Sequence, residues 1–205
     1  MQGSSQGSFD FGRGSFRGGP PAGGRKRPDR LFLAVLLDQQ TSTRIGEFRA
    51  RFVSETHLAG SSIDLKRLHI SLHHVGDYAH LHDKTIYAAK RAAAAVAIPP
   101  FEVMLRLLTS FESRPSASRW PLVLSAEGEG LMELHRELGA ALENNGLRTI
   151  DHFLPHMTLL YGQRPIATRA IEPILLVVSE FVLIHSHVGM TRYDILGRWS
   201  LTTVH

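Results

Sequence analysis

Two short motifs constrain the fold of this chain more than any other feature of its sequence. His69-Ile70-Ser71-Leu72 has a close counterpart in His156-Met157-Thr158-Leu159, and both lie among aliphatic and β-branched residues. Successive side chains on a strand point to opposite faces, so the histidine and the hydroxyl residue of each motif share one face. The apolar residues then point into a core. If the two strands lie side by side, two imidazoles and two hydroxyls converge on one groove.

This paired arrangement suits chemistry on a phosphodiester. One histidine can accept a proton from a nucleophile while the other donates a proton to the leaving oxygen. The hydroxyls of Ser71 and Thr158 can hold the non-bridging phosphate oxygens as charge builds on them. An imidazole pKa of about 6.5 lets one ring start neutral and the other start protonated near neutral pH. The residues alone leave open which of His69 and His156 is the acid and which is the base.

The distribution of apolar residues predicts an α+β protein with an internal two-fold echo. Leu31 to Leu37 is predicted to form a buried strand, and Asp38 can cap the helix that follows. We predict further helices at 78–96 and 131–144 and one long strand at 177–187. A helix precedes each motif strand, which favours two similar α+β lobes with the groove between them.

Composition excludes several classes of protein. The chain has 205 residues, 43% of them hydrophobic, which is enough for one core or for two small lobes that share one. It has no cysteine, and this excludes disulfides and thiolate metal sites. No apolar run approaches the roughly 20 residues that cross a bilayer, so we expect a cytoplasmic protein with no membrane contact. We also expect a monomer. His185 and His187 share a strand face, but no acidic cluster lies near them, and we expect neither a metal nor a cofactor.

The net charge of +4 belongs to the N-terminal segment. Residues 1–30 contain six basic and two acidic residues, and the rest of the chain is neutral overall. We predict a disordered Gly/Arg-rich tail over residues 1–29, which cannot bury enough apolar surface to offset its ordering entropy, and a globular domain over 30–205. The Phe-Gly-Arg segments of the tail resemble arginine–glycine segments that bind single-stranded RNA. A tail that only aids solubility is the alternative.

The paired motifs resemble those of the two-histidine phosphoesterases. Among these, the nearest branch is the bacterial and archaeal RNA 2',3'-cyclic phosphodiesterases, also called 2'-5' RNA ligases. The resemblance covers roughly Arg30 to Leu201 and implies a bilobal fold, with two antiparallel-sheet lobes, helices outside and a central groove. It rests on the opening strand Arg30–Val35, the motif segments Leu68–His73 and Leu154–Leu159, and the closing Tyr193-x-x-Leu196-x-x-Trp199.

The resemblance also implies a reaction. It is the metal-independent hydrolysis of RNA 2',3'-cyclic phosphate ends, tRNA fragments among them, to 2'-phosphates in RNA processing, with reversible 2'-5' ligation. On this basis His69 is the proton donor, His156 is the proton acceptor, and Ser71 and Thr158 bind the phosphate. Two alternatives stay open. One is a cyclic phosphodiesterase for a small nucleotide such as ADP-ribose 1'',2''-cyclic phosphate, and the other is a non-catalytic RNA-binding module.

The chain departs from the family pattern five residues after the second histidine. Many members have arginine there, whereas this chain has Tyr161, and a phenol cannot supply the forked positive charge of a guanidinium. Arg164, in the turn that follows, is a candidate replacement, although an ordinary exposed arginine is the simpler interpretation. Strict alternation places His73 on the face of His69 and Ser71, so His73 is a further candidate for the groove. Tyr161 is another, because it stands at the position of the family's arginine.

Overall fold

The computed structural model describes residues 28–111, 119–149 and 152–202. The predicted disordered tail lies outside these residues except for its last two positions, and Asp29 already belongs to the first strand, β1 (Asp29–Leu36). The later elements are α1 (Gln39–Thr56), β2 (Gly60–Ser62), β3 (His69–Tyr78), α2 (Asp83–Ala94), β4 (Phe101–Ser110), β5 (Trp120–Glu127), α3 (Glu129–Asn144), β6 (His156–Gly162), β7 (Arg169–Val178), β8 (Glu180–His187) and β9 (Arg192–Ser200).

The strands of the described residues form one antiparallel sheet that consists of two halves. The strand order is β7-β4-β5-β6-β3-β1-β8-β9, with the short β2 paired to β6. The halves meet where β3 and β6 pair through Ile70 and Met157 alone, whereas β1 and β3 pair over eight residues. Such a short junction lets the halves diverge on either side of a groove. The predicted α+β fold with two antiparallel-sheet lobes is confirmed.

Side-chain alternation along β1 separates two apolar layers. Leu31, Leu33 and Val35 belong to the main core, together with buried residues of all three helices. Phe32 and Ala34 point to the opposite face, where they pack with two residues of β8 in a smaller cluster. One face of the sheet is therefore covered by helices, and the other carries a small hydrophobic cluster beside the first motif.

Local signals determine where the helices begin and end. The carboxylate of Asp38 accepts a hydrogen bond from the backbone N–H of Thr41 at 2.8 Å, and this caps α1 as predicted. His57 ends the same helix in the left-handed conformation, and Gly146 has φ 75° just after α3. Among the described residues, no helix combines the length and the hydrophobicity needed to cross a bilayer.

Two predicted element bounds are wrong. The helix predicted at 78–96 begins only at Asp83, because β3 continues through Tyr78. The long strand predicted at 177–187 is two strands with a break at Ser179, since β7 pairs with β4 in one half of the sheet and β8 pairs with β1 in the other. A continuous apolar run does not reveal that the chain changes its partner strand.

Candidate active site

The first motif strand contains a β-bulge three residues after its histidine. Ala34 of β1 pairs with Ser71, and the preceding residue of β1 pairs with His73, so Leu72 is the extra residue. A bulge of one residue shifts the alternation of side chains, and positions beyond it exchange faces. His69 and Ser71 precede the bulge and keep the predicted face.

The prediction that His73 lines the groove is wrong for this reason. His73 is only 4% exposed, and its Nε2 donates a hydrogen bond to the backbone carbonyl of His135 in α3 at 2.7 Å. The two imidazoles stack with ring centroids 4.0 Å apart. Burial, with a smaller contribution from His73, lowers the pKa of His135 to about 4. His73 is a core residue beneath α3.

The second motif strand repeats the bulge at the equivalent position. In β6 the extra residue is Leu159, between Thr158 and Leu160, which pair with consecutive residues of β5. The carbonyl oxygen of Leu159 accepts hydrogen bonds from the backbone N–H of Ile63 at 3.0 Å and from Arg49 Nη1 at 3.2 Å. The two halves of the chain therefore share the position of a β-bulge as well as the motif residues.

The single junction between the two halves of the sheet lies within the motifs. Ile70 pairs with Met157, and both side chains are fully buried. In an antiparallel ladder the residues before and after such a pair point to the opposite face of the sheet. Each of them lies directly across from one flanking residue of the partner strand and diagonally from the other. As predicted, the two motif strands are neighbours. The flanking residues that the junction brings together are His69, Ser71, His156 and Thr158.

The two histidines make the same hydrogen bond to the backbone. Nδ1 of His69 lies 2.7 Å from the carbonyl oxygen of Arg67, and Nδ1 of His156 lies 2.7 Å from the carbonyl oxygen of Leu154. A carbonyl can only accept, so Nδ1 carries the proton in both rings and the lone pair of each neutral ring lies on Nε2. Nε2 is therefore the nitrogen at which each neutral ring can accept a proton.

Burial lowers the pKa of both histidines below the usual value. For His69, desolvation is the main cause, and the charges of His156 and Arg67 lower the pKa further, against the hydrogen bond to the Arg67 carbonyl. For His156, desolvation again dominates over the hydrogen bond to the Leu154 carbonyl. Both rings thus favour the neutral form until an anion such as a phosphate approaches and stabilises a proton on one of them.

Aromatic rings surround both imidazoles and account for this desolvation. The ring of Phe32 lies 5.2 Å from that of His69, and the ring of Tyr193 meets the same imidazole edge-on at 5.8 Å. Tyr193 belongs to β9, although β1 and β8 separate β9 from β3 in the sheet, so this half of the sheet is strongly curved. In the other half, Phe111 meets His156 edge-on at 4.6 Å.

Two buried side-chain polar atoms in the described part of the chain have no hydrogen-bond partner, and both belong to residues beside a motif histidine. One is Nε of Arg67, whose guanidinium lies 4.3 Å above the ring of Tyr193. The other is Oγ of Ser125, which pairs with His156 across β5 and β6 and so shares its face. Unsatisfied buried groups are uncommon in folded proteins, and beside a groove they are candidate contacts for a ligand.

Sequence reasoning missed both residues. Arg67 is the last residue of a short 3₁₀ turn, Leu65–Arg67, that precedes β3, so strand alternation does not place it on the face of His69. Ser125 gave no sequence signal either, because only the pairing of β5 with β6 brings it opposite His156.

The two remaining candidate groove residues, Tyr161 and Arg164, lie in different surroundings. The bulge at Leu159 returns Tyr161 to the groove face of β6, where 39% of the residue is exposed. Arg164 lies beyond the end of this strand, and its Nη2 donates a hydrogen bond to the carbonyl of Thr56, the last residue of α1, at 2.9 Å. A cation at a helix C-terminus stabilises its unpaired carbonyls. This contact favours the simpler interpretation of Arg164, as an ordinary exposed arginine, over its candidacy as a replacement phosphate ligand.

A two-lobed antiparallel sheet with paired His-x-Ser/Thr motifs at its junction defines a two-histidine phosphoesterase. A sequence profile of the 2'-5' RNA ligase superfamily matches residues 37–194, more than half of the chain, and the protein belongs to this superfamily. Among curated proteins, none matches the chain by sequence.

Solved structures share the fold over nearly the whole described chain. LigT of E. coli in its apo form has a TM-score of 0.63 and 26% sequence identity, covering 86% of this chain and 99% of that one. A crystal structure of a phosphoesterase gives a TM-score of 0.64 at 27% identity with the same coverage. The protein TT0787 of Thermus thermophilus gives 0.66 at 23% identity, covering 86% and 100%, and this likeness concerns the fold.

Proposed function

We propose that this protein hydrolyses RNA 2',3'-cyclic phosphate ends to 2'-phosphates, with its two motif histidines as acid and base and with no metal ion in the groove. The observation that carries the proposal is the shared hydrogen-bond pattern of His69 and His156. Each ring has Nδ1–H fixed on a backbone carbonyl and presents Nε2 for proton exchange, on either side of one strand junction. A pure binding site has no need of two such groups.

The reaction is a displacement at phosphorus. One neutral imidazole removes a proton from water as the water oxygen bonds to phosphorus, and the other imidazole, protonated, gives its proton to the departing 3'-oxygen. The product keeps the 2'-phosphate, and proton exchange with solvent restores both rings. The family resemblance implies that His69 is the donor and His156 the acceptor. A ribose 5'-hydroxyl in place of water would form a 2'-5' linkage, and the excess of water favours hydrolysis.

Four residues would hold the phosphate in this proposal. The hydroxyls of Ser71 and Thr158 donate to the non-bridging oxygens, as inferred from the motifs. Arg67 supplies the positive charge that Tyr161 cannot, because its guanidinium lies beside His69 and its Nε has no protein partner in the described structure. Ser125 donates from the side of His156. Tyr161, which is partly exposed on the groove face, would contact the nucleotide beyond the phosphate.

The choice of a nucleotide substrate is supported by relatives with known ligands. E. coli LigT has been crystallised with 3'-AMP, at a TM-score of 0.62 and 27% identity to this chain. It has also been crystallised with NADP+, at a TM-score of 0.63 and 26% identity. The first complex fits an RNA end, which is our proposed partner. The second favours a small dinucleotide-like substrate, such as ADP-ribose 1'',2''-cyclic phosphate, as the other candidate.

The test is incubation of the purified protein, in EDTA, with a short RNA that ends in a 2',3'-cyclic phosphate. We expect a product with a 2'-phosphate, identified by its resistance to enzymes that require a 3'-phosphate. A 3'-phosphate product would contradict the proposed leaving group. If only ADP-ribose 1'',2''-cyclic phosphate is opened, the small-nucleotide alternative is correct, and if neither is opened while RNA is bound, the protein is a binding module.

The pH dependence of this activity follows from the lowered pKa of both histidines. The acid must be protonated, so activity falls as the pH rises through its pKa, and the base must be neutral, so activity falls as the pH drops through its pKa. Because burial lowers both values in the free protein, the bell-shaped profile of kcat/KM should be centred below about pH 6.5. Bound phosphate raises both values, so the kcat profile should lie at higher pH. A kcat/KM profile centred well above pH 6.5 would contradict this.

A further inference from the structure

A second group of ionisable side chains lies on the opposite face of the curved half-sheet. Asp29 begins β1 on the face of the core residue Leu31 and pairs with His187 across β1 and β8. His185 shares that face of β8 and pairs with Asp194 across β8 and β9. Alternation therefore places two carboxylates and two imidazoles together, away from the motif histidines.

The donor atoms of this group are close enough together to share a single ion. Oδ1 of Asp29 accepts a hydrogen bond from Nε2 of His185 at 3.0 Å, whose proton an ion would displace, and the same oxygen lies 3.8 Å from Nδ1 of His187. One donor atom from each of the three residues lies within 4.8 Å of the others. Ligands at zinc distances of 2.0–2.1 Å in a tetrahedron are separated by about 3.4 Å, and the observed separations from Asp29 fall on either side of this value. Shifts of less than about 1 Å would complete the site.

His187 also makes the kind of hydrogen bond to a carboxylate that metal-binding histidines make. Nε2 of His187 donates a hydrogen bond to Oδ2 of Asp194 at 2.7 Å, which leaves the lone pair of its neutral ring on Nδ1, the atom nearer Asp29. Arg192 in turn holds Asp194 with two hydrogen bonds of 3.0 Å. Carboxylates that orient a ligating histidine in this way are a common feature of metal sites.

The group is also shielded from water. The side chains of Asp29, His185 and His187 are only 14%, 16% and 21% exposed. The sequence has no acidic cluster close to His185 and His187, which is why it does not predict a metal there. Asp29 stands 156 positions before His185 and becomes its neighbour only in the folded sheet.

We propose that Asp29, His185 and His187 bind one divalent transition-metal ion, with zinc favoured by this set of nitrogen and oxygen ligands and a water completing the tetrahedron. The ion would fasten the first residue of β1 to the end of β8 and, through Asp194, to β9. Its role is structural, because the site lies on the face of the sheet opposite the motif histidines, and the hydrolysis proposed above does not depend on it.

The test is a zinc titration of the full-length, tag-free protein after chelator treatment, followed by calorimetry and by thermal unfolding. We expect one ion bound per chain and a rise in the melting temperature, because a ligand that binds only the folded state stabilises it. Asp29→Asn and His185→Gln should abolish both effects. Asp194→Asn should weaken binding about 10- to 100-fold while the fold is retained, since it removes only the orienting carboxylate.

The matched control is His57→Asn, which removes an exposed histidine and keeps a residue that tolerates the left-handed conformation of that position. This variant should bind zinc as the parent protein does. Failure of the parent protein to bind zinc, or equal binding by Asp29→Asn and His185→Gln, would overturn the proposal. Cobalt in place of zinc reports the ligand geometry from its absorption spectrum. Because the hydrolysis assay is run in EDTA, the catalytic and metal proposals fail independently.

Discussion

Replacement of His69 or His156 with alanine is expected to lower kcat/KM for an RNA cyclic phosphate by about 10²- to 10⁴-fold. Each substitution removes an imidazole beside the junction whose Nδ1 proton is held by a backbone carbonyl and whose Nε2 would exchange a proton with the substrate. The double variant should be little worse than either single variant, because an acid and a base that act in one displacement fail as a unit. Initial rates on a dinucleotide 2',3'-cyclic phosphate measure the effect.

The matched control is His135→Phe. His135 is a buried histidine of α3 that stacks on Phe153 with ring centroids 4.1 Å apart, and phenylalanine preserves this contact. It lies with His73 on the face of the sheet opposite the motif histidines, so activity should be retained. Thermal unfolding of all variants separates loss of chemistry from loss of fold. If His69→Ala or His156→Ala keeps more than about a tenth of the parent rate, the paired-histidine mechanism is wrong.

Arg67→Met is expected to lower kcat/KM by about 10- to 100-fold, mainly through a higher KM. A charge-assisted hydrogen bond is worth about 1.5–3 kcal/mol, and Arg67 is the cation whose charge acts on His69. Arg67→Lys should recover only part of the loss, because an ammonium cannot replace the planar fork stacked over Tyr193. Adding Tyr161→Arg to Arg67→Met should also restore activity in part, since it returns the guanidinium that many family members have at that position.

Arg164→Met is the control for this prediction. Arg164 donates to the carbonyl of Thr56 at the end of α1, so its removal should cost some stability and leave kcat/KM unchanged. Saturation kinetics on the dinucleotide substrate would distinguish the two arginines. Equal losses in Arg67→Met and Arg164→Met would refute the assignment of Arg67 to the phosphate.

Much of the local structure follows from short stretches of sequence. The cap of α1 by Asp38 depends on contacts three residues apart, and the motif residues His69, Ser71, His156 and Thr158 follow the alternation of a strand. These features arise from the conformation of neighbouring residues, so they can be predicted without knowledge of the rest of the chain.

Long-range pairing decided what the sequence could not. Beyond a β-bulge, the face on which a side chain lies depends on the pairing with the partner strand. For that reason His73 lies in the core, although alternation predicted the groove. The break at Ser179 likewise reflects a change of partner strand.

The sequence by itself determined the fold class, the two motifs and the superfamily, because apolar periodicity and each four-residue motif are local patterns that can be recognised without knowledge of the tertiary structure. The tertiary structure alone decided that Arg67 and Ser125 have unsatisfied polar atoms beside the two histidines. It alone also brought Asp29 to His185, 156 positions away. Burial and contact between distant strands are properties of the folded sheet, and no local pattern of side chains specifies them.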